Sequence, residues 1–167
     1  EPFLRADNGL KPFDKVMTAN AFNLVSCQFA IHYLFKSMDS LDIFCKTLNT
    51  YLAPGGYFIG TCLDGKWVDD AFKKSNGGTL AGKVKEHGDA TLWQITKQYD
   101  MFNPNDPDQN IGKQIDVFIE SINQVLPEYL VDFELLQSKL KAYNIALLDV
   151  NAEAKEHPAF NALPNGQ

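Results

Sequence analysis

No stretch of this sequence stays apolar for the roughly 20 residues that a membrane-spanning helix requires. Apolar runs such as Tyr57-Phe58-Ile59 are strand-sized, and no membrane association is expected. Cysteine is scarce: three residues, at 27, 45 and 62, with no Cys-x-x-Cys pair. An odd, widely spaced set indicates neither a zinc ribbon nor a disulfide framework; reduced thiols in a cytosolic or nuclear setting are the default. The chain has no dense Lys/Arg tract, and its formal charge is -6. That argues against a broad phosphate-tracking surface for long nucleic acid, but it leaves open a small pocket that reads one nucleotide. The start, Glu1-Pro2-Phe3-Leu4-Arg5, has no initiator Met and no basic-then-apolar signal pattern, so a fragment that begins mid-protein is the expectation. There is no internal repeat and no low-complexity tract.

What is present suits one domain with a real core: 167 residues, 45% hydrophobic. Phe22 to Cys27 is short, rich in β-formers and nearly continuously apolar, the pattern of a buried parallel strand. Residues 39 to 52 read as a helix that Asp39 or Ser40 can cap, with Leu41, Phe44, Leu48 and Leu52 on one face. Pro54-Gly55-Gly56 stops it, and Tyr57 to Thr61 reads as a second buried strand, completing a βαβ unit. A short helix over 65 to 74 puts Trp67, Val68, Ala71 and Phe72 on one side. Gly77-Gly78 and Gly82 bracket a flexible connection. Leu92 to Met101 and Lys113 to Ser121 read as an antiparallel hairpin whose long tip holds Asn103 to Asp108. Pro127 suits the entry to a helix over 128 to 142, and Ile145 to Val150 reads as a further strand. The tail over 151–167 is polar and irregular.

Two stretches identify a family. Ser26-Cys27-Gln28-Phe29-Ala30-Ile31-His32-Tyr33 and Leu52-Ala53-Pro54-Gly55-Gly56-Tyr57-Phe58-Ile59-Gly60-Thr61 resemble the "SCQFALHY" and "LKPGGYFIGT" blocks of mRNA cap guanine-N7 methyltransferases. The first block is specific. The second is weaker alone, because a Pro-Gly-Gly turn before a strand is common in class I methyltransferases. Ala6-Asp7 looks like the family's "ADSS"-type turn, and Pro127-Glu128-Tyr129-Leu130-Val131 looks like its "PEFLV" segment. The resemblance runs from about residue 5 to residue 150. Divergent details, including Leu63 where relatives often have Pro and the long loop at 103 to 110, point to a distant member; a viral capping enzyme is one candidate.

The resemblance implies an α/β, class I S-adenosylmethionine-dependent (Rossmann-like) fold with a mostly parallel sheet and an inserted antiparallel hairpin. It implies a single methyltransferase domain over 1–167, the C-terminal part of that fold. The family's acidic, glycine-rich cofactor turn does not occur, so truncation at that motif is expected. Its reaction moves a methyl group from S-adenosylmethionine to N7 of the guanine cap. N7 needs no deprotonation, so no general base is required and catalysis is by positioning. The resemblance assigns the cap guanine to His32, a donor for O6, and to Glu128, an acceptor for N1–H and the 2-amino group. Tyr33 and Phe29 offer aromatic faces to the purine or its ribose. It gives the cofactor to Asp7, with Asn8 beside it, to Gln28 through its backbone, and to Phe29. The imidazole and the carboxylate are expected to meet in space and grip opposite edges of one purine.

Blander roles are weighed beside these. Phe29 and Tyr33, four apart, can be core aromatics on one turn; Glu128 can be a first-turn acid favoured by a helix dipole; Asp-Asn-Gly at 7–9 is also a generic turn. His87 and His157 carry no motif, Trp67 and Trp93 read as packing residues, and Lys73-Lys74, Lys83 and Lys85 read as solvated. Capped RNA is the implied partner, with a fused or associated RNA triphosphatase or guanylyltransferase as a further one. The implied compartment is the nucleus for a cellular enzyme, and host cytoplasm or virion for a viral one. Two other functions stay open: a non-catalytic methyltransferase-like module scaffolding a capping complex, and a class I methyltransferase acting on another small molecule.

Overall fold

A computed structural model describes residues 19–75, 77–84 and 90–148. In chain order these form β1 (Phe22–Gln28), α1 (Ile31–Leu34), α2 (Met38–Tyr51), β2 (Leu52–Thr61) and α3 (Gly65–Lys74). Next come β3 (Thr79–Val84), β4 (Ala90–Lys97), a 3-10 turn (Pro107–Asn110), β5 (Gln114–Ile119), β6 (Gln124–Tyr129) and α4 (Phe133–Lys141). The fold is mixed α/β. Strands β1 and β2 form a parallel pair, and a separate antiparallel sheet runs in the order β3-β4-β5-β6. This differs from the expected mostly parallel sheet: among the described residues one strand pair is parallel, and the expected hairpin is the centre of a four-stranded meander.

The parallel pair follows from α2, which carries the chain back so that β2 starts at the same end as β1. Register runs from Leu24↔Tyr57 to Gln28↔Thr61 after an irregularity beside Pro54-Gly55-Gly56. Gly55 sits there at φ 76°, the left-handed region that its missing Cβ permits. The α2 cap is Ser37, two residues before Asp39 and three before Ser40: its hydroxyl accepts from the Ser40 N–H at 3.2 Å. Leu41, Cys45 and Leu48 are buried along the face of α2 that turns inward.

Two cores result. In the first, Ile31, Phe35, Leu41, Leu135 and Leu140 pack together, with Val25, Cys27 and Phe58 of the parallel pair against them. Helices cover one face only of that pair. On the other, Leu24, Tyr57 and Ile59 stay 55%, 56% and 47% exposed, so these strands are not buried on both sides among the described residues. In the second core, Val68 and Phe72 of α3 pack on Ile95, Ile115 and Val117 of the antiparallel sheet. Trp67 is not part of that face: it is exposed, and Asp69 is buried instead. The Asp69 carboxylate is tolerated inside because it accepts from the Tyr99 hydroxyl at 2.7 Å and lies 2.6 Å from Lys73 Nζ. Burial, together with that carboxylate, pushes the Tyr99 phenol well above its ordinary pKa. Trp93 does pack, its indole lying over Gly82, where a Cβ would collide with it. Gly82 therefore belongs inside β3, not to a flexible connection.

The cores are joined end to end. Gly65 N–H donates to Val131 O at 2.8 Å, and Asp64 bridges Val131 in parallel. Leu130 belongs to one core and Val131 to the other. The helix expected over 128 to 142 starts later, at Phe133. Asp132 caps it, accepting from the Leu135 N–H at 3.0 Å, while Pro127 and Glu128 extend as part of β6. That strand lies at the sheet's edge, where a proline's missing N–H costs least. No strand forms over 145–148. The rest of the strand expected to 150, the tail over 151–167, and Asp7, Asn8, Lys85 and His87 lie outside the described residues. No helix among those described is long and apolar enough to cross a membrane.

The loop between β4 and β5 is anchored, not loose. Asn110 is fully buried; its amide donates to Asp132 Oδ2 at 2.6 Å and to Asn103 O at 2.8 Å, and its oxygen accepts from the Asn103 N–H at 2.8 Å. Asn110→Ala removes all three bonds and leaves the buried Asp132 carboxylate one donor short. Urea unfolding should show a loss of about 2–3 kcal/mol; a loss below about 0.5 kcal/mol would contradict the anchoring role.

Candidate active site

The carboxyl ends of β1 and β2 converge, the place where open α/β sheets receive ligands. Their last residues are locked together: the Thr61 hydroxyl donates to Gln28 Oε1 at 2.8 Å, and Gln28 Nε2 donates to Ser26 Oγ at 3.0 Å. Phe29 then turns into the left-handed region, φ 50°. Its N–H donates to Thr61 O at 3.0 Å and Oγ1 at 3.1 Å. A left-handed backbone costs a residue with a Cβ about 1–2 kcal/mol, and here the ring is left 72% exposed. Such strain collects at ligand sites.

The chain next makes α1, whose inner side is fixed by Ile31 and Phe35, 2% and 0% exposed. Gly60 permits this approach, since a Cβ there would lie 2.6 Å from Ile31 Cδ1 and 3.1 Å from Cys27 O. His32, between the two anchors, reaches β6. Its Nε2 lies 3.6 Å from Glu128 Oε2, with both side chains nearly buried. That separation is too long for a hydrogen bond, and among the described residues Nε2 has no other partner. Burial lowers the imidazole pKa and raises that of the Glu128 carboxyl. Each is pushed toward its neutral form, so the approach is a close juxtaposition and not an established ion pair. The Tyr33 ring leans on the imidazole with centroids 4.1 Å apart and remains partly exposed.

Comparison with known sequences decides the family. Residues 3–157 match the family described as mRNA (guanine-N(7))-methyltransferase domain. The chain belongs to that family. A probable mRNA-capping enzyme of Acanthamoeba polyphaga mimivirus is 28% identical over 132 residues, which is 77% of this chain and 11% of that protein. An mRNA cap guanine-N(7) methyltransferase of Meyerozyma guilliermondii is 30% identical over 142 residues, 84% of this chain and 22% of the relative. One of Caenorhabditis briggsae is 33% identical over 141 residues, 83% of this chain and 34% of the relative. The chain thus spans about a third or less of these relatives.

In this methyltransferase domain the structure brings His32, Tyr33 and Glu128 together and sets Gln28 and Phe29 at the strand ends; Asp7 and Asn8 lie outside the described residues. Two readings change. Glu128 stands on an edge strand, not at a helix start. At 3.6 Å the imidazole and the carboxylate stand side by side, and can address only neighbouring atoms on one edge of a ligand. Thr61 and Gly60 were not singled out by sequence. Their signal was the Gly-Thr ending the second motif, a small residue where α1 must approach and a hydroxyl where two strands end.

Gly60→Ala should cost about 1–2 kcal/mol through overpacking against Ile31. Adding Ile31→Val removes the colliding Cδ1 methyl and should recover part of that loss, a coupling of at least about 0.5 kcal/mol in urea unfolding. Strictly additive losses would show that Ile31 is not what Gly60 accommodates.

Proposed function

We propose that this domain holds the guanine of an mRNA cap for methyl transfer to N7, as part of a class I methyltransferase. The observation that carries the reading is the His32–Glu128 juxtaposition, a donor and a paired acceptor nearly buried side by side. Guanine presents, along one edge, an acceptor at O6 and donors at N1–H and the 2-amino group. Nε2–H of a neutral His32 meets the first, and the Glu128 carboxylate accepts from the other two in a charge-assisted pair. Adenine presents a donor where guanine has O6 and an acceptor where guanine has N1–H, so both protein groups would face the wrong partner. Discrimination of this kind is strong because mismatched polar groups are left buried and unpaired.

N7 lies on the ring's other side and is already nucleophilic. The residues' work is therefore to fix the purine and exclude water. Tyr33 supplies an aromatic face, and an aromatic neighbour stabilises the positive charge that N7 methylation creates. S-adenosylmethionine, when bound, supplies an electrophilic sulfonium methyl. The exposed Phe29 ring and the Gln28 backbone at the strand ends fit an adenosine-bearing ligand, and the resemblance adds Asp7 and Asn8. Capped RNA is the substrate in this reading. A fused or associated RNA triphosphatase or guanylyltransferase is part of this reading; one relative of the chain is named a probable mRNA-capping enzyme. A nuclear enzyme is proposed for a cellular source, and host cytoplasm or virion for a viral one.

The test is methyl transfer by the full-length protein to capped and uncapped RNA of the same sequence. Transfer should require the cap. His32→Ala and Glu128→Gln should each reduce kcat/KM by about 10- to 100-fold, the cost of a lost bond to a charged or buried partner, with circular dichroism unchanged. Full activity in both variants would overturn the site.

The carboxylate form of Glu128 is the one that accepts from guanine. Burial holds its pKa above that of an ordinary glutamate, so guanosine binding should fail, as pH falls, at a higher pH than an ordinary carboxylate gives. Glu128→Gln should remove that acid limb. A limb at or below pH 4.5, or one that survives the substitution, would contradict the assignment.

A further inference from the structure

Beside the guanine site runs an open groove of about 540 Å³, lined by Tyr33, Lys36, Ser40, Leu126, Pro127 and Tyr129. Its size is within the roughly 300–1,000 Å³ of small-molecule sites. One wall is the start of α2 with the turn before it; the other is β6, an edge strand of the antiparallel sheet among the described residues. Nothing in the guanine or cofactor roles uses Lys36, Ser40, Leu126 or Tyr129.

The groove is continuous with the guanine site in two ways. The Tyr33 ring that lines it leans on the His32 imidazole. Leu126, two residues before Glu128 and so on the same side of β6, lines the groove as well. Its chemistry is that of a nucleotide site without sequence preference: two aromatic rings for a base to lie against, an apolar floor and a cation at the rim. Lys36 is exposed, and among the described residues no carboxylate pairs with it. A net charge of -6 argues against a long electrostatic track, so the footprint is short.

We propose that this groove holds the first transcribed nucleotide of the capped RNA, its base against Tyr129 and its 3′ phosphate at Lys36. The inference rests on the guanine reading of His32 and Glu128. It goes further by giving the domain a second subsite, which separates a capped transcript from a free guanosine nucleotide. The nucleotide is the right occupant because the triphosphate bridge tethers it to whatever guanine His32 and Glu128 hold.

The experiment measures binding of three probes to the full-length protein by competition with a fluorescent cap analogue. The probes are GTP, the dinucleotide GpppA, and a capped five-nucleotide RNA. GpppA should bind about 10-fold more tightly than GTP. Tyr129→Leu should erase most of that increment while leaving the GTP affinity within about 2-fold, whereas Lys36→Ala, whose phosphate is absent from both small probes, should leave GTP and GpppA affinities within about 2-fold. Lys36→Ala should instead reduce the slope of log affinity against log salt for the capped RNA by about 0.7, the loss of one phosphate contact on a single strand. Equal affinity for GTP and GpppA in the wild type overturns the subsite. So does an increment that survives Tyr129→Leu together with a salt slope that Lys36→Ala leaves unchanged, which is the result if the groove instead seats a protein partner. A fall in S-adenosylmethionine affinity in either variant, with the nucleotide increment intact, assigns the groove to the cofactor and also overturns it. If the wild type binds neither GTP nor GpppA, or if Glu128→Gln leaves both affinities unchanged, the underlying guanine reading fails instead.

Discussion

Burial of Ile31 and Phe35 on either side of His32 is the constraint from which the site descends. A four-residue helix has no stability of its own in water, so α1 exists only because these two side chains are pulled into the first core. His32 is held between them, and its direction is set by that packing. Gly60 is the counterpart on the strand below, clearing the space that Ile31 fills. The carboxylate that faces His32 comes from a different layer, the edge of the antiparallel sheet, whose position depends on the second core and on the Gly65–Val131 junction. The site therefore reports on the whole assembly, since neither core alone supplies both groups.

Local sequence rules served the first half of the chain well. The apolar run at 22–27, the periodic helix after it and the Pro-Gly-Gly turn identify β1, α2 and β2, because each signal is local and strong. They served the second half less well. Pro127 is equally at home at the first turn of a helix and on an edge strand, and only the neighbouring strand β5 decides between them. The true helix signal was Asp132, a capping acid whose partner Asn110 sits far away in a loop that reads as featureless polar sequence. Trp67 was misplaced because periodicity treats a tryptophan as core; Asp69 occupies the buried position, compensated by Tyr99 and Lys73. Motif resemblance, by contrast, singled out His32 and Glu128, which the fold brings within 3.6 Å of each other, with no knowledge of the fold between them.

The electrostatics suit a small reading site in an acidic chain. His32 and Glu128 are pushed in opposite directions by the same cause, desolvation, which disfavours the imidazolium and the carboxylate alike. A guanine edge supplies what this pair lacks, an acceptor for one and donors for the other. Among the described residues His32 Nε2 has no hydrogen-bond partner, a rare state for a buried polar atom and the feature on which the proposed guanine contact draws.

The backbone of Phe29 has a consequence for how this domain would change under selection. A glycine at that position would relieve the left-handed conformation at once, so screening for heat resistance alone would favour losing the ring. An exposed aromatic on a left-handed backbone adds little to the fold, so its worth lies in the ligand contact proposed for it. Thermostabilised forms obtained without a functional filter would therefore tend to be sturdier proteins with an eroded ligand site.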